Sequence, residues 1–143
     1  MVSKIIIIGA NAAGVNAAIA ARKTDMDAEI VLVTDEEYAA YSRCGLPYVL
    51  AGDIALFEDL ITFPSSYIKT MGIDLRTKIS VKSIDSHEKV ITAIYEDGRA
   101  ESIPYDSLVL ACGASSFIPP FKGRDKEGVF SLRTMEDLSL IHI

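Results

Sequence analysis

The feature that most constrains the fold is an apolar run followed directly by a glycine-containing turn. Ile5 to Ile8 show no polar alternation, which predicts a first strand buried on both faces of a parallel sheet. The segment from Gly9 to Gly14 then breaks the strand, and the alanine-rich residues 15–23 predict a helix. A second apolar strand is predicted from Glu29 to Val33. Together these elements predict one βαβ unit in the first 37 residues.

The rest of the chain predicts short strands and a few short helices. Asp97-Gly98 is a strong hairpin signal between two β-rich runs, and it predicts a small antiparallel β-meander. Short helices are expected around Pro47, before Gly72 and from Met135 to Leu140. The further expected strands cover residues 73–76, 79–81, 90–94, 100–103 and 107–111, the last of them buried. The predicted fold class is therefore α/β, with a Rossmann-like parallel sheet and a small antiparallel β-meander.

Composition argues against several classes of function. The net charge of −6 and the pI of about 4.8 disfavour binding to nucleic acid, and no apolar run approaches the ~18 residues of a membrane span. Two cysteines are too few for a disulfide framework and lack the spacing of a metal site. The first residues show neither a basic leader nor a cleavage site for secretion. We therefore expect a cytoplasmic protein that acts on a small molecule.

The turn after the first strand is similar to the phosphate-binding turn of dinucleotide-binding domains. The usual pattern has three glycines, and here Asn11 takes the middle position between Gly9 and Gly14. Asp35 lies 21 residues beyond Gly14, close to the spacing of the acid that binds a ribose, and Glu36 is a near alternative. A ligand-free α/β turn is the other interpretation of the same residues. The flanking strand and helix favour nucleotide binding.

Cys44 is a candidate redox residue without a partner thiol nearby. A cysteine reacts as its thiolate, which a neighbouring cation or a helix N-terminus favours. Arg43 and the helix expected around Pro47 could supply these two influences. The alternative is an inert buried cysteine.

Five ordered motifs resemble the N-terminal part of a pyridine nucleotide-disulfide oxidoreductase. The resemblance is to the single-cysteine branch, which contains coenzyme A disulfide reductases, NADH oxidases, NADH peroxidases and persulfide reductases. It covers nearly the whole chain. The motifs are residues 9–14, Cys44-Gly45-Leu46-Pro47-Tyr48, Gly52-Asp53-Ile54, residues 105–114 and residues 128–134.

The resemblance implies that residues 1–143 are the N-terminal segment of an FAD-binding domain. It implies that Cys44 is the catalytic thiol beside the flavin and that Asp35 binds the ribose. Arg22 matches a basic position that contacts coenzyme A in its reductases, although a cation also suits a helix C-terminus. The pyrophosphate contacts would be Gly9, Asn11, Ala12, Ala13 and Gly14, and the flavin contacts would be Arg43, Pro47, Ala111, Cys112 and Gly113.

Four positions depart from the family pattern. A gapless alignment places Thr34, rather than Asp35, at the ribose acid. Ala40 replaces a serine often found four residues before the cysteine. Ala12 stands where peroxidases and water-forming oxidases have a histidine, which favours thiol or disulfide reduction. Cys112 replaces a threonine, and we expect it to pack structurally rather than to act as a second redox thiol.

The resemblance also implies that the full-length relatives contain further domains, and this sequence shows no motif of those domains. Full-length relatives continue into an NAD(P)H-binding domain and a dimerisation domain, and they are homodimers. Three interpretations are open. The first is an FAD-binding fragment of an NAD(P)H-dependent disulfide or persulfide reductase that acts on a small-molecule thiol or disulfide. The second is a non-catalytic module that binds FAD or another adenine nucleotide. The third is a fragment of an NADH oxidase or of a flavoprotein that serves rubredoxin or nitrite reduction.

Overall fold

The first elements of the chain form the predicted strand, helix and strand in the computed structural model, which describes residues 2–141. β1 covers Lys4–Ile8, α1 covers Ala12–Thr24 and β2 covers Glu29–Val33. The helix begins before residue 15, earlier than predicted, because Asn11 caps it. The Asn11 side-chain oxygen accepts a hydrogen bond from the N–H of Ala12 at 2.9 Å. The last part of the predicted turn therefore belongs to the helix.

The remaining elements follow the predicted order. Two 3₁₀ turns cover Arg43–Gly45 and Phe57–Leu60. The other helices and strands are α2 (Leu46–Ala51), α3 (Ser65–Thr70), β3 (Ile73–Arg76), β4 (Ile79–Asp85), β5 (Val90–Tyr95), β6 (Ala100–Pro104), β7 (Ser107–Leu110) and α4 (Met135–Ile141). The described residues divide into two compact units, one made of residues 2–41 and 63–112 and the other of residues 42–62 and 113–141.

The first unit is built on a parallel sheet with the strand order β3-β2-β1-β7. Ile6 of β1 pairs with Val31 of β2 on one side and with Leu108 of β7 on the other. All three pairings in this sheet are parallel. The predicted α/β class with a Rossmann-like parallel sheet is confirmed.

The two faces of this sheet are covered by different layers. Successive side chains of a strand point to opposite faces. Ile7 packs with Val15 and Ala18 of α1 on one face. Ile6 packs with Ile91 of β5 on the other face. The apolar run of β1 is therefore buried by a helix on one side and by a second sheet on the other.

The second sheet is the predicted antiparallel β-meander, with the strand order β4-β5-β6. The Asp97-Gly98 turn joins β5 to β6 as predicted, and the N–H of Gly98 donates to the carbonyl of Tyr95 at 2.9 Å. Gly98 has a φ of +80°, a conformation in which glycine is preferred. β4 is longer than predicted because a bulge between Val81 and Ser83 allows the strand to continue.

β7 lies at the edge of the parallel sheet, and the prediction that it is buried is wrong. Among residues 2–141 its strand neighbour is β1. Leu110 is 62% exposed, and Leu108 and Val109 are partly buried. An apolar run by itself does not distinguish an edge strand from a central one.

The second unit contains α2 and α4, which contact each other. Leu46 and Val49 of α2 and Met135 and Leu138 of α4 are buried. Pro47 lies in the first turn of α2, as predicted, where its missing N–H would have no helical partner. Within residues 2–141, none of the helices has the length and apolar character that crossing a membrane requires.

Candidate functional site

Gly9 ends β1 in a conformation and a position that exclude a side chain. Its φ is +104°, and a Cβ at this position would lie 2.2 Å from the carbonyl oxygen of Ala111. Its N–H donates to the carbonyl of Val33 at 2.7 Å. The backbone at the start of the turn is therefore packed directly on the end of β2 and on the residue that follows β7.

Gly14 lies in the first turn of α1 and makes an even closer approach. A Cβ at Gly14 would lie 1.7 Å from the carbonyl oxygen of Gly9, a backbone atom that cannot rotate away. The same Cβ would lie 3.4 Å from Cγ2 of Ile7. The absence of a side chain therefore lets the start of the helix rest on the end of β1, which is the role of the last glycine in dinucleotide-binding turns.

The N-terminus of α1 offers donors that suit an anion. The first helical bond runs from the N–H of Val15 to the carbonyl of Asn11 at 2.9 Å, so the N–H groups of Ala13 and Gly14 precede the helical ladder. Ala12 and Ala13 are exposed. Within residues 2–141, the buried Nδ2 of Asn11 has no hydrogen-bond partner. This orphaned donor and the first-turn N–H groups, in a turn that carries only glycine, alanine and asparagine, fit a phosphate group.

Three candidate residues for a ribose contact follow β2 and differ in their surroundings. Thr34 is 5% exposed, and its N–H donates to the carbonyl of Arg76 at 3.0 Å. Asp35 is exposed. Glu36 is partly buried, and its carboxylate accepts a hydrogen bond from the hydroxyl of Tyr41. The contact with Tyr41 could not be predicted from the sequence.

A backbone contact joins this acidic segment to the turn. The N–H of Ala40 donates to the carbonyl of Ala10 at 2.7 Å, and the carbonyl of Ala40 accepts from the N–H of Phe63 at 3.3 Å. Ala40 is 1% exposed and has a φ of +54°, which is unfavourable for a residue with a Cβ. The turn, the acidic segment and Ala111 therefore come together at the carboxyl end of the parallel sheet.

Cys44 lies in the second unit, in the 3₁₀ turn that leads into α2, and it is exposed. The N–H of Gly45 donates to the carbonyl of Ser42 at 3.1 Å, which closes the turn around Cys44. A Cβ at Gly45 would lie 2.3 Å from a methyl carbon of Leu60. Gly45 thus packs inward while Cys44 and Pro47 face outward, so the alternative of an inert buried cysteine is wrong.

Arg43 forms a hydrogen bond with the segment just before α4, within the same unit. Its Nη1 donates to the carbonyl of Arg133 at 3.1 Å. The N–H groups of Arg133 and Thr134 donate to Oδ2 of Asp137 at 2.8 and 3.0 Å. The hydroxyl of Thr134 accepts from the N–H of Asp137 at 3.2 Å, which completes a capping box. The spacing of Thr134 and Asp137 is a sequence signal for this cap that our sequence analysis missed.

The segment after β7 is divided between the two units. The N–H of Ala111 donates to the carbonyl of Ile8 at 2.8 Å in the first unit, whereas Gly113, with a φ of +69°, belongs to the second. Cys112 is exposed, and its Sγ lies 3.9 Å from the carbonyl oxygen of Ile8. Cys112 is therefore not packed in the core, and its structural role, as opposed to that of a second redox thiol, stays a prediction.

Arg22 has a clear structural role. Its Nε donates to the carbonyl of Met71 at 3.0 Å and its Nη2 to the carbonyl of Gly72 at 2.8 Å. Its Nη1 donates to the carbonyls of Asp25 and Met26 at 3.4 and 2.7 Å. A guanidinium group has five N–H donors, so most of its donors are used within the chain. The contact with coenzyme A stays a prediction that these bonds do not support.

Comparison with known proteins identifies the family of this chain. The family model described as pyridine nucleotide-disulphide oxidoreductase matches residues 3–142. An NADH oxidase of Methanocaldococcus jannaschii is 44% identical over 135 residues, which are 94% of this chain and 30% of the relative. An NAD(P)H sulfur oxidoreductase (CoA-dependent) of Pyrococcus furiosus is 36% identical over 90% of this chain and 28% of its own length.

Solved structures give the same result. The crystal structure of reduced Bacillus anthracis CoADR-RHD has a TM-score of 0.93 and 29% identity over 99% of this chain and 26% of its own. An NAD-dependent persulfide reductase from A. fulgidus has a TM-score of 0.89 and 31% identity over 97% of this chain and 27% of its own. The chain thus spans about 30% of the length of the curated relatives that it matches.

Proposed function

Because the chain belongs to the pyridine nucleotide-disulphide oxidoreductase family, we propose that it is the FAD-binding part of an NAD(P)H-dependent flavoprotein reductase. The observation that carries the proposal is the turn from Gly9 to Gly14. Gly9 and Gly14 lie where the backbone leaves no room for a side chain, and the buried Nδ2 of Asn11 between them lacks a partner within residues 2–141. Both features fit the pyrophosphate of FAD. The proposed domain is residues 1–143, an N-terminal segment of the FAD-binding domain.

The residues that would hold FAD follow from the geometry and from the family resemblance. The N–H groups of Ala13 and Gly14 and the amide of Asn11 would bind the pyrophosphate, aided by the positive end of the α1 dipole. A carboxylate after β2 would accept hydrogen bonds from the ribose hydroxyls. The proposed flavin contacts are Arg43, Pro47, Ala111, Cys112 and Gly113.

Cys44 is the proposed catalytic residue. The chemistry that bound FAD supplies is two-electron transfer between NAD(P)H and sulfur. An exposed Cys44 thiolate can attack one sulfur of a disulfide, forming a mixed disulfide as the other sulfur leaves as a thiolate. The 3₁₀ turn and the packing of Gly45 on Leu60 hold the Cys44 backbone for this attack. The sulfur is thus accessible to a small-molecule disulfide or persulfide.

The names of several relatives support a sulfur substrate, whereas the relative that is 44% identical is named an NADH oxidase. They include an NAD(P)H sulfur oxidoreductase (CoA-dependent), a coenzyme A disulfide reductase and a persulfide reductase. Ala12 occupies the position where the resemblance places a histidine in peroxidases and water-forming oxidases. We therefore favour thiol or disulfide chemistry over the reduction of peroxide or oxygen. NAD(P)H binding and dimerisation would be functions of the parts of the relatives that this chain does not match.

The visible spectrum of the FAD-loaded chain tests the role of Cys44. A thiolate next to oxidised flavin produces a long-wavelength charge-transfer band, which we expect in the FAD-loaded wild type. We expect Cys44→Ser to bind FAD and to lack this band. Cys112→Ser is the matched control and should keep it.

Two outcomes would contradict the assignment. A band that persists in Cys44→Ser and disappears in Cys112→Ser would assign the redox thiol to Cys112. If the wild type binds FAD but shows no charge-transfer band, the result would favour the second interpretation, a non-catalytic module that binds FAD.

A further inference from the structure

The three candidate ribose residues after β2 differ in how far the fold fixes them. Thr34 is buried, and its hydroxyl accepts from the N–H of Glu36 at 3.3 Å. The side chain of Asp35 is exposed and makes no hydrogen bond or ion pair within residues 2–141. The carboxylate of Glu36 accepts a hydrogen bond from Tyr41. Of the two acids, Glu36 is therefore the one that the fold holds in place.

The backbone of Glu36 is held as well. Its carbonyl accepts from the N–H of Lys78 at 3.2 Å, and the carbonyl of Thr34 accepts from the N–H of Ile79 at 2.9 Å. Tyr41, which holds the carboxylate, is itself only 2% exposed. The position of the Glu36 carboxylate is thus determined by groups in the core of the first unit.

The same segment is fixed against the phosphate-binding turn. The N–H of Gly9 donates to the carbonyl of Val33, and the N–H of Ala40 donates to the carbonyl of Ala10, both at 2.7 Å. These bonds flank Glu36 on both sides in sequence and connect its segment to the turn. Ala40 adopts its left-handed conformation at this contact, immediately before Tyr41.

We propose that Tyr41 is a positioning residue that orients the carboxylate of Glu36 to accept hydrogen bonds from the adenosine ribose. The inference rests on the proposed function, in which an adenine dinucleotide binds at the turn. An ionised carboxylate has about four lone-pair positions, so accepting from Tyr41 leaves capacity for a ribose hydroxyl. A carboxylate that is already oriented loses less conformational entropy when the nucleotide binds.

The test compares two nucleotides that differ only at the ribose, by calorimetric titration of the chain with ADP and with 2′,3′-dideoxy-ADP. We expect the wild type to prefer ADP, because its hydroxyls donate to Glu36. Glu36→Gln should lower the affinity for ADP by about tenfold or more, and Tyr41→Phe by about threefold to tenfold, with little change for dideoxy-ADP. Asp35→Asn is the matched control and should stay within about twofold of the wild type.

A double variant separates positioning from a general structural role. If Tyr41 acts through Glu36, adding Tyr41→Phe to Glu36→Gln should cause no further loss of ADP affinity. A merely structural role would weaken both nucleotides equally and would add to the effect of Glu36→Gln. If Tyr41→Phe does not fold, the comparison of Glu36→Gln with Asp35→Asn decides the role of the acid.

The failure of this inference can be distinguished from the failure of the proposed function. FAD and ADP binding by the wild type, combined with a ribose preference lost in Asp35→Asn and kept in Glu36→Gln, would overturn the inference alone. A folded wild type that binds neither FAD nor ADP would overturn both.

Discussion

The glycines of the phosphate-binding turn act through the side chains that they lack. A Cβ at Gly9 would lie 2.2 Å from a backbone carbonyl oxygen, and a Cβ at Gly14 would lie 1.7 Å from one. Gly98, by contrast, has a positive φ but open space around it. Close packing therefore requires glycine at positions 9 and 14, whereas only the backbone conformation favours glycine at position 98.

This contrast gives a prediction for stability. Gly14→Ala places a methyl group against the carbonyl of Gly9, so the start of α1 must shift, and we expect a loss of about 3 kcal/mol in the free energy of unfolding. Gly98→Ala meets no neighbour and carries only the conformational cost, about 1 kcal/mol. Urea denaturation followed by circular dichroism measures both. Equal losses in the two variants would mean that the close packing of Gly14 contributes nothing.

Individual site residues were predicted from the sequence to different degrees. Gly9 and Gly14 were identifiable because their spacing between a strand and a helix reflects a backbone requirement. The choice between Asp35 and Glu36 could not be predicted, because it depends on a tertiary contact between Tyr41 and Glu36. The exposure of Cys112 was also missed, since it depends on the edge position of the strand before it.

Charged side chains connect the two sheets of the first unit. Arg76 of β3 forms ion pairs with Asp74 at 2.8 Å and with Glu101 of β6 at 3.5 Å. Glu101 also accepts a hydrogen bond from the hydroxyl of Tyr95, and Arg99 lies 3.7 Å from the centre of the Tyr95 ring. The hydrogen bond from Tyr95 and the nearby Arg76 and Arg99 lower the pKa of Glu101, against the opposing effect of desolvation.

A lowered pKa in the folded state makes stability depend on pH in a defined direction. The ionised Glu101 stabilises the fold above its ordinary pKa of about 4.3, and this contribution is lost as the pH falls through the lower pKa of the folded state. We expect Glu101→Gln to be less stable than the wild type at pH 7, by about 1 kcal/mol or less for such an exposed pair.

Urea denaturation at a series of pH values measures this difference. The gap between Glu101→Gln and the wild type should narrow as the pH falls below about 4. Glu127→Gln, in an exposed loop of the second unit, serves as the control and should show no gap at any pH. A gap of constant size across the series would show that the charge of Glu101 does not stabilise the fold.

Elements were predicted well where one local pattern determines them. β2 and β3 match their predicted bounds because clear breaks flank both short strands: β2 is an apolar run after Glu29, and in β3 apolar and charged residues alternate. The predicted α1 is too short because the sequence pattern does not distinguish the Asn11 cap from the turn before it. β7 was predicted as buried because strand order, which places it at the edge, is a property of the whole sheet.

At the scale of the whole molecule, the phosphate-binding turn and Cys44 belong to different compact units of one chain. The family was predicted from ordered motifs and is confirmed by the match over residues 3–142. The cytoplasmic location, the dimeric state and the individual site residues stay predictions. The substrate also stays a proposal, because the chain spans about 30% of the length of its curated relatives.

The most direct measurement is an equilibrium titration of the 143-residue chain with FAD, followed by visible absorbance and flavin fluorescence. We predict saturable binding of one FAD per chain, with a perturbed flavin spectrum, and at least a tenfold loss of affinity in Gly14→Ala. Circular dichroism of the same samples establishes that each protein is folded. A folded wild type without saturable binding, or a folded Gly14→Ala that binds FAD as tightly as the wild type, would contradict the proposal that this turn holds the FAD pyrophosphate.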